Sequence, residues 1–193
     1  VLEDAIVTVH ANQVRMRYET TRVLRALETY EGPLILLKGL AYLAQTLPGS
    51  EGRFCPDVDI MVPRDAIAEV EEKLRAAGYV GIKTDSYDEK YYRDWMHELP
   101  PMRHHRRGVV LDVHHTITPL TARLTPDANE LINSAISSQW QGLKTLSRED
   151  MVLHACIHLF ADGDYVTGLR GLYDIYDLMQ AGRAQDEQFD QRI

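Results

Sequence analysis

Two short β-branched runs carry aspartate where an apolar residue is expected, and nothing else in the chain restricts its fold as much. They are Asp57-Val58-Asp59-Ile60-Met61-Val62 and Val109-Val110-Leu111-Asp112-Val113-His114-His115-Thr116-Ile117. Side chains alternate along a strand, so Asp57, Asp59 and Met61 share one face and Val58, Ile60 and Val62 the other. In the second run Val110, Asp112 and His114 share a face, and Leu111 and Val113 point away from it. A rise of about 3.3 Å per residue puts the Cα atoms of Asp57 and Asp59 roughly 6.5 Å apart, within joint reach of one cation. Ionised carboxylates in a partly desolvated site repel one another unless a positive charge is present, and a divalent metal would supply it. The plainer alternative is the solvent side of an edge strand. If the two runs are neighbours, three carboxylates converge, as a two-metal phosphoryl-transfer site requires, with ions about 3.5–4 Å apart. Oxygen ligands of this kind suit Mg²⁺, or Mn²⁺ in its place.

The remaining elements follow from periodicity and turn residues. Residues 3–28 place Val7, Val14, Tyr18, Thr21, Leu24 and Leu27 at helical spacing and predict a long amphipathic helix. Gly32-Pro33 ends it, and Leu34–Leu37 reads as a buried strand closed by Lys38-Gly39. Residues 40–47 predict a short helix, 48–53 a loop, and 64–78 a helix with Ile67, Val70, Leu74 and Ala77 on one face and Gly78 as its stop. Residues 79–84 read as a strand. The mixed stretch 85–108 reads as a loop leading into a strand near 95–102, which turns at Gly108 and pairs antiparallel with 109–117. Helices are expected at 127–137, 148–161 and 166–181, with an extended piece at 143–147 and a capping pair at Ser147 and Asp150.

The expected fold class is α+β: a small mixed β-sheet flanked by helices, with a core over 1–120 and a helical region over 121–193 that packs on it. The chain opens at Val1 and stops in a polar run, which leaves room for truncation. A net charge of −8 argues against a general nucleic-acid coat protein, although local basic patches can still hold phosphate. Cys55 and Cys156 form no CxxC pair, and no stretch is apolar enough to span a bilayer, so a reducing cytoplasm is the simplest compartment and no membrane partner is expected.

Lys38-Gly39, where a strand gives way to a helix, sets backbone N–H groups beside the sheet edge; Gly39 permits close approach and Lys38 adds charge. Together "KG" at 38–39, "RFCPDVDIMV" at 53–62 and "LDVHH" at 111–115 resemble the bacterial uncharacterised nucleotidyltransferase family, a branch of the DNA polymerase β-like nucleotidyltransferase superfamily. The likeness runs from about residue 34 to 115, and the helices at 148–160 and 168–179 resemble the region that follows in that family. Where this chain has Lys38-Gly39, the wider superfamily usually has Gly-Ser or Gly-Gly. The resemblance implies the nucleotidyltransferase fold, with Asp57 and Asp59 as catalytic metal ligands and Asp112 as the third carboxylate. It further implies Gly39 at the triphosphate, with Lys38 and Arg53 neutralising phosphate. The implied activity is metal-dependent transfer of a nucleoside monophosphate from an NTP, ATP among them, to an acceptor hydroxyl with release of pyrophosphate. The acceptor, whether small molecule, protein or tRNA, is left open. A non-catalytic nucleotide-binding or antitoxin-like domain and a metal-dependent phosphohydrolase are the alternative functions.

Four further groups stand out. His114, facing the third acid, is a candidate to orient the acceptor or a metal-bound water, with His115 packed behind it. His154 and His158 share a helix face without an HExxH pattern and read as packed or hydrogen-bonded histidines; the resemblance, which implies that this helix faces the catalytic sheet, makes a phosphate or acceptor contact the alternative. The basic cluster Arg103-His104-His105-Arg106-Arg107 reads as a solvated hairpin tip or a phosphate or RNA grip. Asp174 and Asp177 read as a solvent-facing stripe.

Overall fold

The structure, a computed structural model, describes residues 2–82, 85–161, 168–186 and 189–191. Its elements run α1 (Leu2–Ala26), β1 (Ile35–Leu36), α2 (Lys38–Ala44), β2 (Val58–Met61), α3 (Ile67–Ala76), β3 (Tyr79–Gly81), α4 (Ser86–Trp95), β4 (Met102–His104), β5 (Val110–His114), α5 (Ala128–Asn133), β6 (Ile136–Ser137), β7 (Lys144–Thr145), α6 (Arg148–Phe160) and α7 (Gly168–Arg183). Residues 83–84, at the end of the expected strand 79–84, and 166–167, at the start of the expected helix 166–181, lie outside the described residues. No helix of the described residues is long and apolar enough to cross a membrane.

One seven-stranded mixed sheet, in the order β3-β4-β5-β2-β1-β7-β6, carries the fold. The pairs β2–β5 and β1–β7 are parallel and the other pairs antiparallel. Val58, Asp59, Ile60 and Met61 are all buried, so β2 is an interior strand between β1 and β5. The edge-strand alternative therefore fails, and Asp59 lies 3% exposed in the middle of the sheet. Around the sheet, α1 packs on β2 and α3, α2 packs on β2 and α6, and α6 packs along α7.

Three expectations need correction. The long first helix forms, but Val7, Val14 and Tyr18 are exposed, and its buried face is Met16, Glu19, Thr20 and Val23. Polar side chains do part of its packing: Asn12 and Gln13 bond backbone groups of residues 50–55, and Glu19 holds Arg107. A search for apolar spacing therefore finds the helix and misplaces its inner face. The second correction is α4, which lies in the stretch read as a loop; Asp85 caps it by accepting from the Tyr87 N–H. The third is β6, a two-residue strand pairing with β7.

The antiparallel hairpin across Gly108 forms, but its first strand is β4 at Met102–His104 instead of the expected 95–102, where α4 ends at Trp95 and the prolines at 100 and 101 interrupt the ladder. Upstream of β4 the pairing continues as a bridge from Glu98 to His114, whereas Met102 pairs with Leu111. Residues 98–102 thus span one residue more than 111–114, which is a bulge. Pro100 and Pro101 fall inside it and lack the N–H a ladder would use. Its consequence is local: Glu98, instead of Leu99, stands across from His114, while Leu99 enters the core at 3% exposure.

Candidate active site

β2 and β5 run side by side with Val58 opposite Leu111, Asp59 opposite Asp112 and Met61 opposite His114. Register partners share a face, so Asp59 and Asp112 project to the same side of the sheet. Asp57, two residues before Asp59, lies half-buried where the chain enters β2. The loop leading there is fixed from α1: Asn12 donates to the Cys55 carbonyl at 2.9 Å and accepts from the Cys55 N–H at 2.8 Å. Gln13 donates to the Arg53 carbonyl at 2.9 Å.

Among the described residues Lys38 is the only lysine or arginine bonded to any of the three aspartates, and it bonds Asp59 alone. Its Nζ lies 2.6 Å from Asp59 Oδ1, and its backbone sits at φ 49°, a left-handed conformation uncommon for a residue with a side chain. His114 Nε2 approaches the same oxygen at 3.2 Å and Glu98 Oε2 at 3.4 Å. Burial alone would raise the Asp59 pKa, but Lys38 and His114 outweigh it and hold the carboxyl well below the usual range. The same pairing keeps Lys38 above its ordinary value against its own burial. Asp57 is pushed up to about 6, by burial and then by Asp59. Asp112 is pushed up to about 8, by burial and then by Asp59, Glu98 and Asp57. Asp112 Oδ1 is buried and finds no hydrogen-bond partner among the described residues. One ammonium does not neutralise this set of carboxylates, and a site with such a deficit of positive charge fits a divalent cation.

A cleft of about 490 Å³ opens beside these residues, walled by Lys38, Gly39, Asp57 and Asp59 on the sheet side and by His154, His158 and Arg170 across from them. Arg53 forms a close ion pair with Asp174 of α7 and lies over the Tyr42 ring, 4.9 Å from its centre. A Cβ at Gly39 would fall 2.5 Å from Arg53 Nε and 2.9 Å from Cys55 Sγ, so glycine is what lets the start of α2 approach the Arg53 loop. His154 is buried and held well below its ordinary pKa, by burial and then by Lys38 and His114, so it faces the cleft as a neutral imidazole.

Lys38, Gly39, Arg53, Asp57 and Asp59 thus line one cleft, together with His154 and His158, while Asp112 and His114 adjoin it through Asp59. The tightest gathering of ligand-type atoms among the described residues is not the aspartate trio but His97, Glu98 and His114, one atom from each lying within 4.8 Å of the others. His97 and Glu98 carry no signal of their own in the sequence; only their position in the segment expected to pair with 109–117 hints at them. Asp174 is not a solvent-facing residue but a wall of the cleft bound to Arg53, and Arg170, four residues earlier on the same helix face, lines the cleft as well. Asp177 is also half-buried. The basic hairpin is not simply a solvated tip: Arg107 bonds Glu19 at 2.7 Å and His104 is buried, while Arg103 and Arg106 are exposed.

Comparison with solved structures finds proteins of similar fold. The crystal structure of ANT(2'')-Ia in complex with adenylyl-2''-tobramycin matches with a TM-score of 0.63 at 13% identity, covering 92% of this chain and 94% of that one. The solution structure of antibiotic-resistance factor ANT(2'')-Ia matches with a TM-score of 0.62 at 13% identity, covering 93% and 90%. JHP933 from Helicobacter pylori matches with a TM-score of 0.52 at 14% identity, covering 93% of this chain and 72% of that one. At these identities the likeness is one of fold. No curated protein matches the sequence. The family model described as uncharacterised nucleotidyltransferase matches residues 1–193, the whole chain, which therefore belongs to the uncharacterised nucleotidyltransferase family.

Proposed function

We propose that the protein transfers a nucleoside monophosphate from an NTP to an acceptor hydroxyl, releasing pyrophosphate, with Asp57, Asp59 and Asp112 holding Mg²⁺ or Mn²⁺. The observation that carries this reading is the parallel register that sets Asp59 opposite Asp112 beside a cleft already lined by Asp57, Lys38 and Arg53. The bound cations would neutralise the triphosphate and polarise its α-phosphoryl group. The chain's own residues do the rest by position and charge. Gly39 gives the phosphates close backbone approach, and Lys38 and Arg53 supply positive charge from the same wall. Lys38 leaves Asp59 and Arg53 leaves Asp174 as anionic phosphate enters, so both ion pairs serve as holding positions for the free protein. Asp112, with an unpaired oxygen and a pKa pushed up to about 8, holds its proton at neutral pH in the metal-free protein and would give it up on serving as the third carboxylate ligand. The neutral His154 and neighbouring His158 contact the acceptor or the phosphates from across the cleft.

The test is incubation with Mg²⁺ or Mn²⁺, each of the four α-labelled NTPs and an extract containing small molecules, proteins and tRNA, with Asp57→Asn and Asp59→Asn as controls. Label in one acceptor fraction, lost in both variants, supports the reading and names the acceptor class. NTP binding without transfer points instead to a non-catalytic nucleotide-binding domain, and free inorganic phosphate to a phosphohydrolase. The adenylyl-2''-tobramycin bound by ANT(2'')-Ia makes aminoglycosides a reasonable first set of small-molecule acceptors.

A further inference from the structure

We infer that His97, Glu98 and His114 form a mixed imidazole–carboxylate site for a transition-metal dication such as Mn²⁺, Co²⁺ or Zn²⁺, adjoining the aspartate site where His114 meets Asp59. The site rests on geometry that hydrogen bonding does not satisfy. His114 is fully buried, and its Nε2 faces two carboxylate oxygens, Asp59 Oδ1 at 3.2 Å and Glu98 Oε2 at 3.4 Å. One N–H cannot be well directed at both. The other ring nitrogen, Nδ1, is buried and finds no hydrogen-bond partner among the described residues, and the same is true of His97 Nδ1. Buried imidazole nitrogens are normally paired, so the His97 Nδ1, on a ring whose centre lies 5.3 Å from that of His114, marks a place that needs a ligand; His114 Nδ1 diverges from the Nε2 that faces Glu98 and takes no part in this shell.

The spacing matches a coordination shell. Metal–ligand bonds of about 2.0–2.2 Å at tetrahedral or octahedral angles put neighbouring ligand atoms roughly 2.9–3.5 Å apart. The 3.4 Å from His114 Nε2 to Glu98 Oε2 falls in that range, and His97 supplies an atom within 4.8 Å of the other two residues' ligand atoms. Imidazole nitrogen favours Mn²⁺, Co²⁺ or Zn²⁺ over Mg²⁺, which prefers oxygen and water.

The backbone builds this arrangement. The bulge over residues 98–102 places Glu98 across from His114, where an uninterrupted ladder would have put the apolar Leu99. The His115 N–H donates to the His97 carbonyl at 2.8 Å and the Leu99 N–H to the Val113 carbonyl at 2.9 Å, which fixes the segment on both sides of Glu98.

Binding at this site does not require turnover, so the test uses binding readouts. The protein is titrated with Co²⁺ and followed by visible absorption, then back-titrated with Zn²⁺. Mn²⁺ bound to the protein is examined by pulsed electron paramagnetic resonance for coupling to ¹⁴N. The variants are His97→Ala and Glu98→Gln, both at partly exposed positions, with Asp57→Asn as the control for the aspartate site. The expected result is a Co²⁺ spectrum and ¹⁴N coupling of a nitrogen-ligated ion, with affinity falling at least about tenfold in each of the two variants and nearly unchanged in Asp57→Asn. Should either variant misfold, long-range ¹H–¹⁵N correlation of the wild-type imidazoles under Zn²⁺ titration replaces it, and shifts of both His97 and His114 nitrogens are expected. Unshifted imidazoles, or bound Mn²⁺ with no ¹⁴N coupling, overturn the site. A nitrogen-ligated ion in a protein that moves no α-label would leave this inference standing while the proposed function fails, and label transfer with an all-oxygen metal would do the reverse.

Discussion

Asp112 of β5 is the register partner of Asp59 in β2, yet the two carboxyls are driven in opposite directions: Asp59 is held low by Lys38 and His114, and Asp112 is raised to about 8. One ammonium is enough for one of the pair. The metal-free protein should therefore show a distinctive pH dependence. Asp112, raised above its ordinary 3.8, contributes stability that is fully present below about pH 4 and is lost as pH rises through about 8. Asp57 adds a loss of the same sign as pH rises through about 6. Asp59 has the opposite sign, its contribution being lost only in strong acid. Below about pH 6.5 the half-buried His97 and the buried His115 and His154, all held below their ordinary values, act in the opposite sense and offset the two acids. Urea midpoints measured with a chelator should therefore fall between about pH 6.5 and 8, Asp112→Asn should flatten that fall, and saturating Mn²⁺ should remove most of it. A chelated wild type whose midpoint stays flat or rises over that interval would contradict the assignment.

Lys38→Met removes the ammonium that keeps Asp59 ionised inside the sheet. Breaking one partner of a buried pair commonly costs about 3–5 kcal/mol; because the Lys38 side chain is 27% exposed, the low end of that range is expected here. The loss should be greatest above about pH 7, where Asp59 cannot easily relieve it by taking up a proton, and Mn²⁺ should restore part of it. Chemical denaturation at mildly acidic and mildly alkaline pH, with and without metal, checks both points. A variant as stable as wild type in metal-free alkaline buffer would mean that Asp59 is neutralised some other way.

Gly39→Ala tests the cleft wall. The new methyl group would meet Arg53 Nε and Cys55 Sγ at 2.5 and 2.9 Å, so Arg53 must move away from its place over Tyr42. Overpacking of this kind costs about 1–3 kcal/mol of stability. NTP affinity should fall roughly tenfold, about 1.4 kcal/mol, because both the close approach and the Arg53 charge are disturbed. Calorimetric titration with an NTP and Mn²⁺ reads the effect, and unchanged affinity would move the phosphates elsewhere in the cleft.

The aspartates are legible in the sequence because an acid inside a β-branched run is conspicuous, and alternation assigns its face without any tertiary information. Pairing of β5 with β4 is equally accessible from the run lengths and Gly108. Glu98 and His97 are not, because their position depends on a bulge at two prolines, and a shift of one residue exchanges Glu98 for Leu99 opposite His114. The inner face of α1 escapes apolar periodicity for a related reason: it packs through the polar Asn12, Gln13 and Glu19, whose role emerges only when the loop at 50–55 and Arg107 are in place. Asp174 needs the fold to bring α7 to Arg53, 121 residues away in sequence.

Arg107 separates architecture from nucleic-acid binding in the basic hairpin. Its Nε bonds Glu19 at 2.7 Å, its guanidinium lies 5.8 Å from the centre of the Tyr79 ring, and Glu19 is only 3% exposed, so the ion pair ties α1 to the hairpin. Arg107→Met would leave a buried, unpaired carboxylate and should destabilise the protein by about 2–4 kcal/mol. Arg103 and Arg106 are exposed, and Arg103→Ala with Arg106→Ala should change stability by no more than about 0.5 kcal/mol each. Thermal and urea denaturation distinguish the two classes of variant. If the hairpin also holds RNA, the Arg103/Arg106 double variant should weaken tRNA binding with folding intact. Its salt dependence should also become shallower, by roughly one unit of slope for each phosphate the arginines neutralise in the wild type. If tRNA affinity and salt slope are the same in wild type and double variant, the hairpin serves the fold through Arg107 and the acceptor is met at the cleft.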